Sequence, residues 1–122
     1  MVTGATSGIG AATAKRLAAA GASVALVGRR EDRLKDLSTD IGTGTLPVAA
    51  DVGDRVAMEA AADTIRSALG RVDLVVANAG VMLAAPYESA PTAEWDQMVG
   101  TNITGLLNTG RAFIDDLLAA AA

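Results

Sequence analysis

Short apolar runs alternate with longer amphipathic stretches along most of the chain. The apolar runs, two of which are rich in valine, cover residues 24–27, 45–50 and 73–77. Such runs indicate strands buried on both faces of a parallel sheet. The amphipathic stretches, each followed closely by a glycine that can end a helix, cover residues 9–20, 31–41 and 54–69. This alternation predicts an α/β fold with a doubly wound parallel sheet.

A different pattern follows residue 80. A loop containing Pro86 and Pro91 precedes a stretch that predicts one long helix from about Thr92 to the C-terminus. Its apolar positions keep a 3, 4, 3, 4 spacing, which indicates a single apolar stripe. They are Ile103, Leu106, Leu107, Gly110, Phe113, Ile114, Leu117 and Leu118. We expect this stripe to be buried against the sheet, and contact with another subunit is the alternative.

The length of 122 residues suits one domain. Only Met1 and Val2 precede the turn that begins at Thr3, whereas a strand ordinarily has about five residues, so the first strand is predicted to be a stub. The last predicted helix runs into alanines without a capping residue. We therefore expect residues 1–122 to be the N-terminal part of a larger domain, an incomplete sheet of a stub and three strands that ends in a long helix.

Composition removes several classes of chemistry. Ten Lys and Arg oppose fourteen Asp and Glu, and the net charge of -4 gives no general attraction for a nucleic acid. The absence of Cys and His excludes disulfides, thiolate nucleophiles and imidazole acid/base catalysis. Since no apolar run approaches the roughly 20 residues of a bilayer span, we expect a soluble cytoplasmic protein without membrane contact.

A glycine-rich turn lies between the stub strand and the first predicted helix. Its sequence is Thr3-Gly4-Ala5-Thr6-Ser7-Gly8-Ile9-Gly10. Gly4 can adopt a backbone conformation denied to other residues, Gly8 lets a diphosphate approach the main chain, and Gly10 lets the helix lie close to the sheet. The helix N-terminus adds free N–H groups and partial positive charge. The turn predicts a phosphate site, and a tight connection without a ligand is the alternative.

Four stretches resemble, in order, the motifs of the short-chain dehydrogenase/reductase family. They are Thr3-Gly4-x-x-x-Gly8-x-Gly10, Asp51-Val52, Asn78-Ala79-Gly80 and Asn102. The resemblance covers essentially the whole chain and implies a Rossmann-like fold that binds NAD(P). It also implies that the cofactor diphosphate is lined by Gly4, Ser7, Gly8, Ile9 and Gly10.

The resemblance assigns the second and third stretches to the nucleoside. It implies that Asp51 contacts adenine with Val52 packed beside the ring, and that Asn78 braces the sheet while Ala79 and Gly80 run past the ribose. Each assignment has a structural alternative. Asp51 can be a plain N-cap of the next helix, and Asn78 can be a turn residue chosen for its tolerance of left-handed backbone.

The choice of dinucleotide is made about 20 residues beyond the glycine-rich turn, at the end of the second strand. Arg29 and Arg30 occupy this position, where guanidinium groups suit a 2′-phosphate and an acid would repel it. NADP is therefore the predicted cofactor and NAD remains possible, because Glu31 and Asp32 follow directly. The alternative is a solvated arginine pair that forms salt bridges with those two acids.

Carbonyl reduction also requires a proton donor. In the family that the chain resembles, a Tyr-x-x-x-Lys pair after the fifth strand supplies it, and this chain contains no such pair. Its only Tyr is Tyr87, and its only Lys residues, Lys15 and Lys35, lie in early helices. Asn102 matches the helix Asn that binds a catalytic water in the family, and we expect a buried amide there to interrupt the helical hydrogen bonds. An Asn on the helix surface is the alternative.

These observations support three functional hypotheses. In the first, the chain is the cofactor-binding half of an NADP-dependent oxidoreductase acting on a small alcohol or carbonyl compound, inactive alone because the catalytic Tyr and Lys are absent. The second is a non-catalytic module that binds or senses NADP(H). The third is a scaffold that associates through its long helix. The resemblance implies a homo-oligomer, a dimer or a tetramer, for the intact protein.

Overall fold

Parallel strands and α-helices alternate along this computed structural model, which describes residues 1–122. The elements are β1 (Val2–Thr3), α1 (Gly8–Ala19), β2 (Val24–Gly28), α2 (Glu31–Ile41), β3 (Thr45–Ala49), α3 (Arg55–Leu69), a 3-10 turn (Tyr87–Ser89), α4 (Thr92–Val99), a π-helical segment (Gly100–Thr104) and α5 (Gly105–Ala121). The predicted α/β class is confirmed, and the first three helices begin and end within one residue of the predicted positions.

The strands form a parallel sheet in the order β1-β2-β3. Val2 pairs with Leu26 across the first ladder, and Val24 pairs with Thr45 across the second. All five residues of β2 are buried, as expected of a strand covered on both faces. None of the helices combines the length and the apolar character needed to cross a membrane.

The predicted fourth strand, residues 73–77, forms only one bridge, in which Val76 lies parallel to Val2. The Val76 N–H donates to the Met1 carbonyl at 2.9 Å, and the Thr3 N–H donates to the Val76 carbonyl at 3.0 Å. The ladder stays short because its partner, β1, has two residues. This segment nevertheless places β1 in the middle of the spatial order 3-2-1-4, which is that of a doubly wound dinucleotide-binding sheet.

The N-terminal amine lies at this junction. It donates to the Leu74 carbonyl at 2.7 Å. Burial lowers the pKa of the amine below its usual 8.0, and the nearby Asp73 carboxylate opposes that shift.

Apolar side chains pack on both faces of the sheet. One face carries Ala14 of α1 and Leu34 of α2 against Val2 and Leu26. The other face carries Met58, Ile65 and Phe113, which belong to α3 and α5. The helices therefore cover the sheet from both sides, which leaves its carboxyl edge as the place where loops from all the strands meet.

The long helix differs from its prediction in the face that it buries. The predicted apolar stripe is largely exposed: Leu107 is 68% accessible and Leu118 63%. The buried face carries Gly105, Asn108, Thr109 and Phe113 instead. The prediction that the stripe covers the sheet is therefore wrong, with Phe113 the one member that does so.

The contact between α5 and Val52 explains why small and polar residues of α5, rather than its leucines, face the core. A Cβ on Gly105 would lie 2.5 Å from Val52 Cγ2, so no larger residue fits at this crossing. One turn later, Asn108 Nδ2 donates to the Val52 carbonyl at 2.9 Å. Farther along, Arg66 Nε of α3 donates to Asp116 Oδ2 at 3.0 Å. These contacts set the rotation of α5 and turn its leucines outward.

Candidate functional site

A cleft of about 430 Å³ opens at the carboxyl edge of the sheet. It is lined by the residues that follow β1, β2, β3 and the Val76 segment, because the carboxyl ends of parallel strands meet at one edge. Eleven of the predicted site residues lie in this lining: Gly4, Ser7, Gly8, Ile9, Arg29, Arg30, Asp51, Val52, Asn78, Ala79 and Gly80. Thr6, Gly28, Ala50, Val81 and Thr101 line it as well. Gly10 and Asn102 do not.

The glycine-rich turn presents main-chain donors to the cleft. Gly4 and Gly8 have φ angles of 63° and 56°, in the left-handed region that favours glycine. α1 begins at Gly8, and the extended Ser7 before it makes no side-chain capping bond. The N–H groups of the first turn therefore remain available to an anion, as does the positive end of the helix dipole. No acidic residue lies in this turn to compete for them.

Gly10 lies beneath the turn and has a packing role. A Cβ there would lie 2.6 Å from Asn78 Nδ2 and still closer to the Gly4 carbonyl oxygen. Asn78 Nδ2 donates to the carbonyls of Thr3 and Gly4 at 3.3 and 3.4 Å. In return, Thr3 Oγ1 accepts from the N–H groups of Asn78 and Ala79, both at 3.0 Å. No residue other than glycine has a positive φ, so the turn-residue interpretation of Asn78 is wrong.

Asp51 lies at the entrance to α3 without capping it. The cap is Asp54, whose Oδ1 accepts from the Ala57 N–H at 3.1 Å. Asp51 Oδ1 accepts from the Gly53 N–H at 2.9 Å and closes a short turn. Oδ2 makes no hydrogen bond within the chain, and Asp51 lines the cleft, so this oxygen is free to accept a hydrogen bond from a ligand.

The two arginines after β2 are exposed at the cleft and form no ion pair. Glu31 pairs with Lys35 instead, at 2.9 Å, so the predicted alternative of an arginine pair neutralised by the following acids is wrong. Arg30 Nη2 donates to Thr6 Oγ1 at 3.1 Å. Two uncompensated guanidinium groups are the chemistry expected where a second phosphoryl group binds.

Asn102 lies in the π-helical segment, so the predicted interruption of the helical hydrogen bonds is present. The predicted burial of its amide is wrong: the residue is exposed. The Asn102 side chain does not enter the core, because both the oxygen and the nitrogen of its amide form hydrogen bonds with the main chain of Val81. Asn102 Oδ1 accepts from the Val81 N–H at 2.8 Å, and Nδ2 donates to the Val81 carbonyl at 2.7 Å. This pairing fixes the chain just beyond Gly80.

The tyrosine and the lysines do not come together. Tyr87 is 82% exposed and stacks on Trp95 with ring centroids 5.2 Å apart. Lys15 pairs with Asp40 at 2.7 Å, and Lys35 lies on α2 in its pair with Glu31. The cleft therefore has the groups to hold an anionic nucleotide and has no Tyr–Lys pair among these residues.

Comparison with known proteins gives a consistent result. The family model described as short chain dehydrogenase matches residues 1–122. A probable NADP-dependent dehydrogenase of Haemophilus influenzae is 40% identical over 120 residues, which are 98% of this chain and 48% of that protein.

Two solved structures share the fold. One is an alcohol dehydrogenase from the archaeon Thermococcus sibiricus, complexed with 5-hydroxy-NADP, with a TM-score of 0.92 and 33% sequence identity. The match covers 99% of this chain and 53% of the dehydrogenase. The other is a 3-ketoacyl-(acyl-carrier-protein) reductase from Brucella melitensis, complexed with NADH, with a TM-score of 0.89 and 36% sequence identity. The match covers 93% of this chain and 48% of the reductase. This chain spans about half the length of the curated relatives it matches. Because the family model matches it from end to end, the chain belongs to the short chain dehydrogenase family.

Proposed function

We propose that residues 1–122 form the NADP-binding half of an oxidoreductase that transfers a hydride between nicotinamide and a small alcohol or carbonyl substrate. The observation that carries the proposal is the pair of unneutralised arginines, Arg29 and Arg30, at a cleft that also receives the N-terminus of α1. The N-terminus of a helix can bind one phosphate group through its main-chain N–H groups. The two arginines can bind a second phosphate group elsewhere in the cleft.

The residues fit a dinucleotide. A Cβ on Gly8 would meet no atom within 4 Å, so the main chain at the start of α1 is open to a diphosphate. Asp51 offers a free carboxylate oxygen to an exocyclic amine, with the side of Val52 next to it. Ala79 and Gly80 line the same cleft and provide backbone without large side chains for a ribose. When bound, the cofactor supplies the hydride.

The arginines favour the phosphorylated cofactor over NAD. Family relatives have been solved with either kind of cofactor, so the fold alone does not decide between them. A charge-assisted hydrogen bond contributes about 1.5–3 kcal/mol, which corresponds to roughly ten- to a hundredfold in affinity. One such bond to a 2′-phosphate is enough to set the preference.

Catalysis in this proposal depends on residues outside 1–122. Tyr87 stacks on Trp95, and both lysines lie on the helices α1 and α2 in ion pairs, so none of them is placed as a proton donor at the cleft. A positioned general acid contributes about 10²–10⁴ in rate. We therefore expect residues 1–122 to bind NADP(H) with little or no turnover.

Isothermal titration of this chain with NADP+ and NAD+ tests the proposal. We expect micromolar binding of NADP+ and at least tenfold weaker binding of NAD+. The variant Gly8→Val, which places a branched side chain at a φ of 56° in the path of the diphosphate, is expected to abolish binding of both. Absence of binding by the unmodified, folded chain, or equal affinity for the two dinucleotides, would contradict the NADP assignment.

The exposed apolar face of α5 supports a homo-oligomer. The exposed surface of this helix carries four large apolar side chains, those of Leu106, Leu107, Ile114 and Leu118. A contiguous exposed apolar surface of this kind marks an interaction site. The variant Leu107→Glu is expected to lower the molar mass measured by light scattering to that of a monomer. Ala19→Glu, which adds the same charge at an exposed position of α1, is the matched control and should leave the mass unchanged. A monomeric unmodified chain would contradict self-association.

A further inference from the structure

We infer that Thr6 determines the preference for NADP by holding Arg30 in place for the 2′-phosphate. The inference rests on the proposed NADP site. It adds Thr6, an uncharged residue, to the two arginines as a determinant of cofactor preference. Thr6 lies in the glycine-rich turn, between Gly4 and Gly8, and lines the cleft together with Arg30.

The Thr6 side chain is seated on the end of β2. A Cβ on Gly28 would lie 2.8 Å from Thr6 Cγ2, so the methyl group occupies the space that any side chain at position 28 would need. Since the χ1 angle of a β-branched residue is stiff, a seated methyl group also fixes the direction of the hydroxyl. Gly28 thus makes room for Thr6, in addition to ending the strand.

The fixed hydroxyl is the only side-chain partner of Arg30. Thr6 Oγ1 accepts from Arg30 Nη2 at 3.1 Å, across 24 residues of sequence. This bond uses one N–H group of the guanidinium and leaves the others for a ligand. A long exposed arginine loses side-chain conformational entropy when a ligand binds it. A neighbouring residue that orders the arginine before the ligand arrives reduces that entropic cost of binding.

A neutral partner suits this task better than an acid. A carboxylate at the position of Thr6 would hold Arg30 more strongly, and it would also cancel the charge and repel the phosphate. The hydroxyl orients the guanidinium without neutralising it. The geometry therefore assigns Thr6 as a positioning residue that acts on the phosphorylated cofactor alone.

Titration with both dinucleotides separates this role from a general structural one. We expect Thr6→Val, which keeps the shape and removes the acceptor, to weaken NADP+ binding about tenfold, equivalent to about 1.4 kcal/mol, and to leave NAD+ binding within about twofold. Thr6→Ser, which keeps the acceptor and removes the methyl group that fixes it, should lose part of the preference, less than Thr6→Val does. Gly28→Ala, which unseats the methyl group, provides an independent route to the same selective loss. Thr64→Val on α3 is the matched control, with the same substitution at an exposed position away from the cleft.

A double-mutant cycle then tests whether Thr6 acts through Arg30. In an Arg30→Ala background, Thr6→Val should have no further effect on NADP+ affinity. Additive losses, or an equal loss of NAD+ binding, would overturn the inference. So would a Thr6→Val chain that keeps the full preference of the unmodified chain, and the proposed function would then stand. If the unmodified chain binds neither dinucleotide, the proposed function fails and the inference fails with it.

Discussion

Replacing Gly10 by alanine is expected to lower the free energy of unfolding by about 3 kcal/mol and to abolish NADP+ binding. The new methyl group would lie 2.6 Å from Asn78 Nδ2 and closer still to the Gly4 carbonyl oxygen. Main-chain atoms cannot yield as a flexible side chain can, so α1 must move away from the sheet or the turn must open. Either movement displaces the N–H groups that face the cleft. Thermal unfolding followed by circular dichroism should show a midpoint lower by roughly 10 °C.

Gly110→Ala is the matched control for this substitution. Gly110 lies within α5, and a Cβ there would meet no atom within 4 Å. Alanine in an exposed helical position is expected to raise the free energy of unfolding by about 0.5–1 kcal/mol. A Gly10→Ala chain that melts within about 2 °C of the unmodified chain would show that the contact between turn, helix and Asn78 is looser than described.

Changing both arginines after β2 to glutamate is expected to reverse the dinucleotide preference. The double variant Arg29→Glu/Arg30→Glu removes the donors for a 2′-phosphate and puts two carboxylates in their place, which repel that group and can accept from a ribose 2′-hydroxyl. We expect the affinity for NADP+ to fall by at least about a hundredfold while NAD+ binds as well as before or better. The measurement is the ratio of the two dissociation constants by isothermal titration at fixed salt.

Arg33→Glu shows how much of that effect is general electrostatics. Arg33 is exposed on α2 and does not line the cleft. The same change of charge there should alter NADP+ affinity by less than about threefold at physiological salt, because solvent and ions screen it. Parallel losses for NADP+ and NAD+ in the double variant would mean that the arginines do not read the 2′-phosphate.

Much of the fold follows from local pattern because each signal has a local physical cause. The apolar run of β2 predicts a strand buried on both faces, and Gly42 and Gly70 adopt the positive φ that ends α2 and α3. The meeting at one edge of the segments that follow β1, β2, β3 and residues 73–77 also follows from the sequence, because strands that run parallel bring their carboxyl ends together. The position of the cleft could therefore be predicted from the sequence.

Contacts between distant residues could not be predicted in this way. Spacing shows that α5 has an apolar stripe, and it does not show that Gly105 must face inward because Val52 leaves no room for a Cβ. The hydroxyl of Thr6 on Arg30 and the amide of Asn102 on Val81 join residues more than twenty positions apart. A threonine and a valine carry no motif of their own, so only the folded geometry identifies their roles.

The place of β1 has a consequence for the order in which the chain folds. Its two residues bond to β2 on one side and to the Val76 segment on the other, so a strand that precedes both of its partners in the sequence holds the middle of the sheet. Closing that contact spans about 75 residues, and loop closure over such a distance delays the step relative to local helix formation. On a ribosome, β1 must wait for residue 76 to emerge before its second partner is present. β1, which is made before both of its partners, is then paired on both sides only after they have been made.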